Sequence, residues 1–466
     1  MPSPQMNEQV SLKTKLAIVA TALVGFCGIL SETSMNVTFS KLSLVFNLPL
    51  ASLQWITTVY LLSVAISMTL SATLQQNLKE RLQFLMAVLL FLAGTLTCVV
   101  SNHFAVMIVG RILQGLGTGI AMPLMFNLII ERIPVSRIGT YMGIGGLIMS
   151  LAPAFGPTYG GFMIAHFSWQ WIFLLILPVT LTALFIGLYA LENAPKINKR
   201  PFDWLAFVLL SASLTSFLIT VAELESGHLN WLAFGLFLAS LIAFIAKSLT
   251  NANPFLDIRI LGFAPILLGV IPFFIYQFTN LAANFVIPNF LVQVQQTSTT
   301  LAGFVLLPGT LLGGLLAPFF GKLYDVKGPK LSLYLGNTLF AISLLLLSLW
   351  TKSLTALPIL LIYIIFTFGR NMSFNNTMAV SISKLPKEKT ADATAIFQML
   401  QQFAGALGTA LSSVILESSP SMASGTQIIF TGLFLLVMLI VQITIVFLIR
   451  LRFGLCGSVL LYISGI

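Results

Sequence analysis

"GILSETSMNVTFSKL", residues 28–42, places one carboxylate, Glu32, near the end of an apolar run that opens shortly after Lys15. An ionised carboxylate among hydrocarbon has no water to stabilise it, and charges at such depth mark pathways or counter-ions. Whether this run crosses a membrane therefore decides the fold and the role of Glu32 together. Composition answers the first question. The chain has 466 residues, 58% hydrophobic and only 8% charged, where a soluble domain carries about 25% charged residues. It cannot cover itself with a water-compatible surface and reads as an all-α integral membrane protein.

A helix needs about 20 mostly apolar residues to cross the hydrocarbon layer. Fourteen runs meet that requirement: 16–38, 52–74, 82–101, 104–130, 139–165, 169–191, 204–222, 231–249, 262–289, 300–323, 331–350, 355–381, 391–415 and 427–449. The first is too long for the apolar core of a signal peptide and no A-x-A site follows it, so it is expected to be a span. Lys and Arg orient the array, because cytoplasmic loops carry the excess of basic residues. With the N-terminus inside, nineteen of the 23 basic residues fall on the cytoplasmic side. Lys41 and Lys352 fall outside, and Arg111 and Arg370 lie within spans. Both termini are expected to be cytoplasmic in a plasma-membrane protein.

The net charge of +10 does not imply a nucleic-acid partner, since the basic residues stand in ones to threes between apolar runs. Cys27, Cys98 and Cys456 are far apart and form no metal-ligand pattern. They are expected to pack as small hydrophobes.

The loop "LQQNLKERLQF" (74–84) after span 2 matches in kind the loop "GKLYDVKGPKLSL" (321–333) after span 10. Each is a short basic turn after the second helix of a six-helix unit. Repeated halves with a site between them are a transporter architecture. The expected organisation is a tail over 1–15, a six-helix bundle over 16–191, a linker with an inserted hairpin over 192–261, a second bundle over 262–449 and a tail over 450–466.

These segments carry a resemblance to a known family. "SETSMNVTF" (31–39), "VGRILQGLGTG" (109–119), "GPTYGG" (156–161), "NPFLDIRIL" (253–261), "GKLYDVKGPK" (321–330) and "ATAIFQMLQQFAGALGTAL" (393–411) occur in order. Together they resemble the fourteen-span drug/proton antiporters of the major facilitator superfamily, especially the lincomycin-resistance-type efflux subgroup of Gram-positive bacteria. The resemblance covers nearly the whole chain. It implies two six-helix pseudo-repeat bundles plus an inserted two-helix hairpin, and secondary active export of amphipathic, cationic drugs or dyes in exchange for protons. It implies no cofactor and a monomer in the lipid bilayer. It also implies conformational roles for Gly156, Pro157, Gly160 and Gly161 in span 5 and for Gly321, Asp325 and Gly328 in the loop. Departures are Gln76 and Lys79, where the superfamily usually has Asp and Gly, and Gln170, where Arg is more usual.

Glu32 lies in the far half of span 1. Arg111 lies about seven residues into span 4, roughly 10 Å down from its boundary at about 1.5 Å per residue, so the two are expected at similar depth. Desolvation favours the neutral form of a carboxyl and a nearby guanidinium the charged form. An acid poised between them can exchange a proton for a cationic drug, which makes Glu32 and Arg111 the expected coupling pair. The alternative is a fixed ion pair joining spans 1 and 4. Coupling to Na+ also stays open, because Asn and Thr oxygens lie near the acid in sequence. The other carboxylates are expected at loops or helix flanks: Glu223, Glu225 (with His228), Asp392, Asp203 and Asp257.

Polar groups amid aromatics suit an amphipathic cargo, and cation–π contact favours a cationic one. The expected cavity set is Glu32, Asn36, Gln54, Gln114, Tyr276, Gln277, Asn280, Asn284 and Arg370. Arg370, about fifteen residues into span 12, reads equally as cavity lining or as structural. Trp55 and Trp231 are expected in an interfacial belt. No Walker loop, nucleophile elbow or metal set points to an enzyme or an ATP-driven pump. A nutrient importer is opposed by the span-5 resemblance.

Overall fold

The computed structural model describes residues 10–134, 138–191, 202–224, 229–251, 254–317, 319, 320, 323, 327–382, 385 and 389–452. Among them all regular structure is helical. The first half contains α1 (Leu12–Met35), α2 (Trp55–Thr69), α3 (Glu80–Val99), α4 (Phe104–Arg132), α5 (Ile138–His166) and α6 (Ile176–Ala190). Then come α7 (Trp204–Glu223) and α8 (Trp231–Thr250). The second half contains α9 (Ala264–Gln293), α10 (Thr299–Leu315), α11 (Pro329–Trp350), α12 (Ala356–Ile382), α13 (Thr390–Glu417) and α14 (Met422–Arg452).

Long apolar runs become helices because an unpaired backbone amide in hydrocarbon is prohibitively costly. The helix ends carry the polar signals. Ser11 Oγ accepts the Thr14 amide at 3.1 Å to start α1. Asp203 accepts the Ala206 amide at 3.1 Å to start α7, and Asn230 accepts from Leu232 and Ala233 at 3.1 and 3.0 Å to start α8. Each satisfies first-turn amides that lack an intrahelical partner. Among the described residues eleven helices are long and apolar enough to cross a membrane; α2 and α10 are shorter apolar helices. The run 300–323 does not form one continuous helix. α10 breaks between Phe304 and Leu307, because Pro308 has no N–H to offer the Phe304 carbonyl.

The two halves pack alike. In the first, α1 lies against α4, α5 and α6, while α2 and α3 flank α4. In the second, α9 lies against α12, α13 and α14, while α10 and α11 flank α12. Between halves α2 meets α13 and α5 meets α10. The second helix of each half thus pairs with the fifth of the other, as a pseudo-twofold arrangement requires. The α7–α8 hairpin rests on α13 and α2.

Hydrogen bonds join the halves at the end of the bundle remote from the start of α1. Asn289 Nδ2 on α9 donates to the Asn36 carbonyl at 3.4 Å, and Ser40 Oγ donates to Asn289 Oδ1 at 3.0 Å. Thr299 and Thr300 donate to the Gly161 carbonyl, each at 3.3 Å. The Phe39 and Phe285 rings meet beside them, 5.7 Å apart.

Candidate functional site

Helix α4 builds the polar centre of the first half. Arg111 and Gln114, three residues apart, share one helical face. Arg111 is fully buried. Its Nε donates to the Ile56 carbonyl at 3.0 Å, and its Nη1 to Ser31 Oγ and Gln114 Oε1 at 2.6 and 2.8 Å. The guanidinium carbon lies 4.2 Å from the centre of the Tyr60 ring. Gln114 Nε2 donates onward to Thr95 on α3 at 2.8 Å. The Tyr60 hydroxyl donates to Thr118 at 3.0 Å, and Thr118 returns to the Gln114 carbonyl at 2.9 Å. Four helices, α1 to α4, therefore meet in one network around a single cation.

Glu32 is the residue after Ser31 and is 6% exposed. It feels the Arg111 charge. Among the described residues, however, it makes no ion pair with Arg111, and its carboxyl accepts no hydrogen bond. The oxygens that hold Arg111 are neutral. Arg111 Nη2 is buried without a partner. The geometry is a fixed cation beside an acid with no bond to break.

In the second half, Arg370 on α12 is half-buried. Its Nη1 donates to Asn371 Oδ1 at 2.9 Å and its Nη2 to Gln277 Oε1 at 2.5 Å. The Phe374 ring lies 4.5 Å from its guanidinium carbon. The structure thus brings Arg370 and Gln277 together. Asn280, one turn along α9, is half-buried and makes no hydrogen bond among the described residues. Tyr276 points elsewhere: its hydroxyl donates to Asn337 on α11, which donates to Thr444 on α14 at 3.0 Å. Asn284 accepts from the Tyr363 hydroxyl at 2.6 Å. Asn36 and Gln54 sit at the joined end. Asn36 Oδ1 accepts from Thr57 at 3.1 Å, and Gln54 Oε1 accepts from Thr58.

The span-5 glycines are contact points. A Cβ on Gly156 would strike the Thr33 side chain, one on Gly160 the Ser34 carbonyl, and one on Gly161 the Thr299 carbonyl. Gly156 and Gly160 seat α5 on α1, and Gly161 seats it on α10. The Pro157 carbonyl is met in turn by Gly303 of α10. Gly328 has φ +76° at the start of α11, a left-handed conformation that favours glycine. Gly321, Asp325, Glu225, His228 and Cys456 lie outside the described residues.

The flanking acids have local work. Asp203 pairs with Lys247 at 3.4 Å, Asp257 caps Arg259 at 3.1 Å, and Glu223 accepts from Asn230 at 2.5 Å. Asp392 stands in the first turn of α13. Near the unusual loop, Glu80 pairs with Arg132 and Gln75 donates to Glu131 at 2.5 Å, tying the start of α3 and the segment after α2 to the end of α4. Gln170 Oε1 is buried without a partner, and nothing in the structure explains its place.

Ser31, Thr95, Thr118 and Asn289 escaped the sequence reading. Ser and Thr in these helices commonly bond their own backbone, as Thr21 does to Ala17 at 3.0 Å, so residue type alone gives no signal. Position does: Ser31 adjoins Glu32, and Thr118 follows Gln114 by one turn.

Among the described residues, two like-packed halves of six principal helices each, flanking a hairpin and carrying charge inside an apolar bundle, define a membrane transport protein. The chain belongs to the Major Facilitator Superfamily, whose pattern it matches over residues 21–409. It is accordingly a multi-pass membrane transporter and not an enzyme. It is 32% identical over 408 residues to the lincomycin resistance protein LmrB of Listeria monocytogenes, covering 86% of this chain and 87% of that one. Its identity to LmrB of Bacillus subtilis is 31%, covering 86% and 85%. Among solved structures, a POT family transporter in complex with 5-aminolevulinic acid superposes with a TM-score of 0.69 at 14% identity, covering 92% and 96%. That likeness speaks to the fold alone.

Proposed function

We propose that the protein is a secondary active multidrug exporter that moves amphipathic small molecules out of the cell in exchange for protons. Its likeness to the LmrB proteins over most of the chain supports drug export. The observation that carries proton coupling is the state of Glu32: buried, beside a cation, and bonded to nothing among the described residues. Such an acid gains or loses a proton without dismantling a hydrogen bond. Arg111, held by Ser31, Gln114 and the Ile56 carbonyl, stays in place while it does so. Protonation from outside favours release of a cationic cargo, and deprotonation toward the cytoplasm restores affinity.

The two bundles are residues 16–191 and 262–449, with 192–261 as the inserted hairpin. α2, α5 and α10 supply the crossings that complete fourteen. Both termini are cytoplasmic, the membrane is the plasma membrane and the working unit is the monomer; the one-sided basic residues support the orientation. The bundles rock about the cavity between them, with Gly156, Pro157, Gly160 and Gly161 as the sliding seat and Gly321, Asp325 and Gly328 as the loop that guards the inner side. Asn36, Gln54, Gln114, Tyr276, Gln277, Asn280, Asn284 and Arg370 line or support that cavity.

The test is transport in proteoliposomes with a fluorescent cationic dye, under a pH gradient or a Na+ gradient imposed separately. The proposal expects accumulation driven by the pH gradient alone. Accumulation driven by Na+ at constant pH contradicts proton coupling.

A further inference from the structure

Arg370 and Arg111 occupy the fourth helix of their respective halves, and each lies against an aromatic ring. Their surroundings differ. Arg111 has an acid nearby, Glu32. Arg370 has none: among the described residues no carboxylate pairs with it. Its neighbours are the neutral oxygens of Gln277 and Asn371. Its Nε is buried without a partner. A cation at that depth with an unmet donor is costly, and native structures leave few such donors without a role.

The geometry points to Arg370 as the anion-binding point of the cargo site, taking the carboxylate of a carboxylate-bearing aromatic amphiphile. Nε and Nη2 share the guanidinium edge that grips a carboxylate with two parallel hydrogen bonds. In this structure the Gln277 amide oxygen occupies half of that edge, at 2.5 Å from Nη2. A carboxylate replaces it and also engages Nε. Asn280 lies one turn from Gln277 on the same face of α9, with its amide unclaimed, and supplies a further donor. Phe374 covers one face of the guanidinium at 4.5 Å. With Glu32 in one half and Arg370 in the other, the site accepts zwitterionic cargo and not cations alone. This inference rests on the export proposal and extends it to the class of cargo.

The experiment uses a matched pair of rhodamine dyes, one with a free carboxylate and the other its methyl ester. Binding to the purified protein and transport in proteoliposomes are measured separately for each. Arg370→Gln should weaken binding of the free acid about tenfold, the worth of a charge-assisted hydrogen bond, and leave the ester within about twofold. Arg370→Lys, which keeps the charge but loses the fork, should fall between. Asn280→Ala removes no existing bond, so it folds normally and should weaken the acid about threefold. Should Arg370→Gln not fold, the Lys and Asn280 variants decide by the same selectivity. Equal effects on acid and ester, or none on either, overturn the assignment. A wild-type protein that moves neither dye counts against export, while the binding comparison still decides the role of Arg370.

Discussion

Arg111 is held by four neutral groups: the Ser31 hydroxyl, the Gln114 amide, the Ile56 carbonyl and the Tyr60 ring. Glu32 is therefore free of the task that a structural ion pair would give it, and the alternative of a fixed 1–4 ion pair loses its geometric basis. The network has a keystone in Gln114, which accepts from Arg111 and donates to Thr95. Gln114→Ala leaves both without that partner. It should cost about 1–3 kcal/mol of stability, seen as a lower thermal midpoint in detergent, and gradient-driven transport should fall with it. An unchanged midpoint contradicts this bonding. Arg111 and Gln114 were legible in sequence because charge and amide stand one helical turn apart in an apolar run. Ser31, Thr95 and Thr118 were not, since a hydroxyl in a helix looks the same whether it bonds its own backbone or a neighbouring helix.

The helices themselves were legible because hydrocarbon leaves an apolar run few alternatives. Their interruptions were less so. The break in α10 follows from Pro308, a residue visible in the sequence, yet the apolar run continues across it. Contact-making glycines show a similar limit: "GPTYGG" marks a close approach but does not say to what. The structure supplies Ser34 of α1 for Gly160 and Thr299 of α10 for Gly161. Gly160→Ala should therefore push α1 and α5 apart, costing about 1–3 kcal/mol by overpacking and sharply slowing transport. Gly235 on α8 has no atom near its would-be Cβ, so Gly235→Ala should stay within about 0.5 kcal/mol and transport normally. Thermal midpoints and initial rates of the two variants check this. Equal behaviour at the two glycines contradicts the packing account.

Across the whole molecule, the contacts that join the halves link residues far apart in sequence, such as Asn36 and Asn289, 253 positions from one another. No local pattern reveals them, although the repeat of two six-helix units was visible in the matched loops. Among the described residues the joined end is stitched by few hydrogen bonds: Ser40 and Asn289, Asn289 and Asn36, and the Gly161 carbonyl with Thr299 and Thr300. Each is worth about 1 kcal/mol, which suits an end that parts during the proposed transport cycle. Asn289→Ala should shift the population toward separation at this end. Spin labels at the far ends of α1 and α9 should then show a longer-distance component in pulsed dipolar spectra. A distance distribution identical to the parent's contradicts this assignment of the closure.

The exchange of a proton for cargo at Glu32 is tested most directly by Glu32→Gln in proteoliposomes, comparing dye accumulation under an imposed pH gradient with dye-for-dye exchange at uniform pH. Glutamine keeps the size of the side chain and removes only its ability to titrate. The account predicts that exchange persists while pH-driven accumulation is lost. Accumulation at the wild-type level by the Gln variant would show that another group carries the proton.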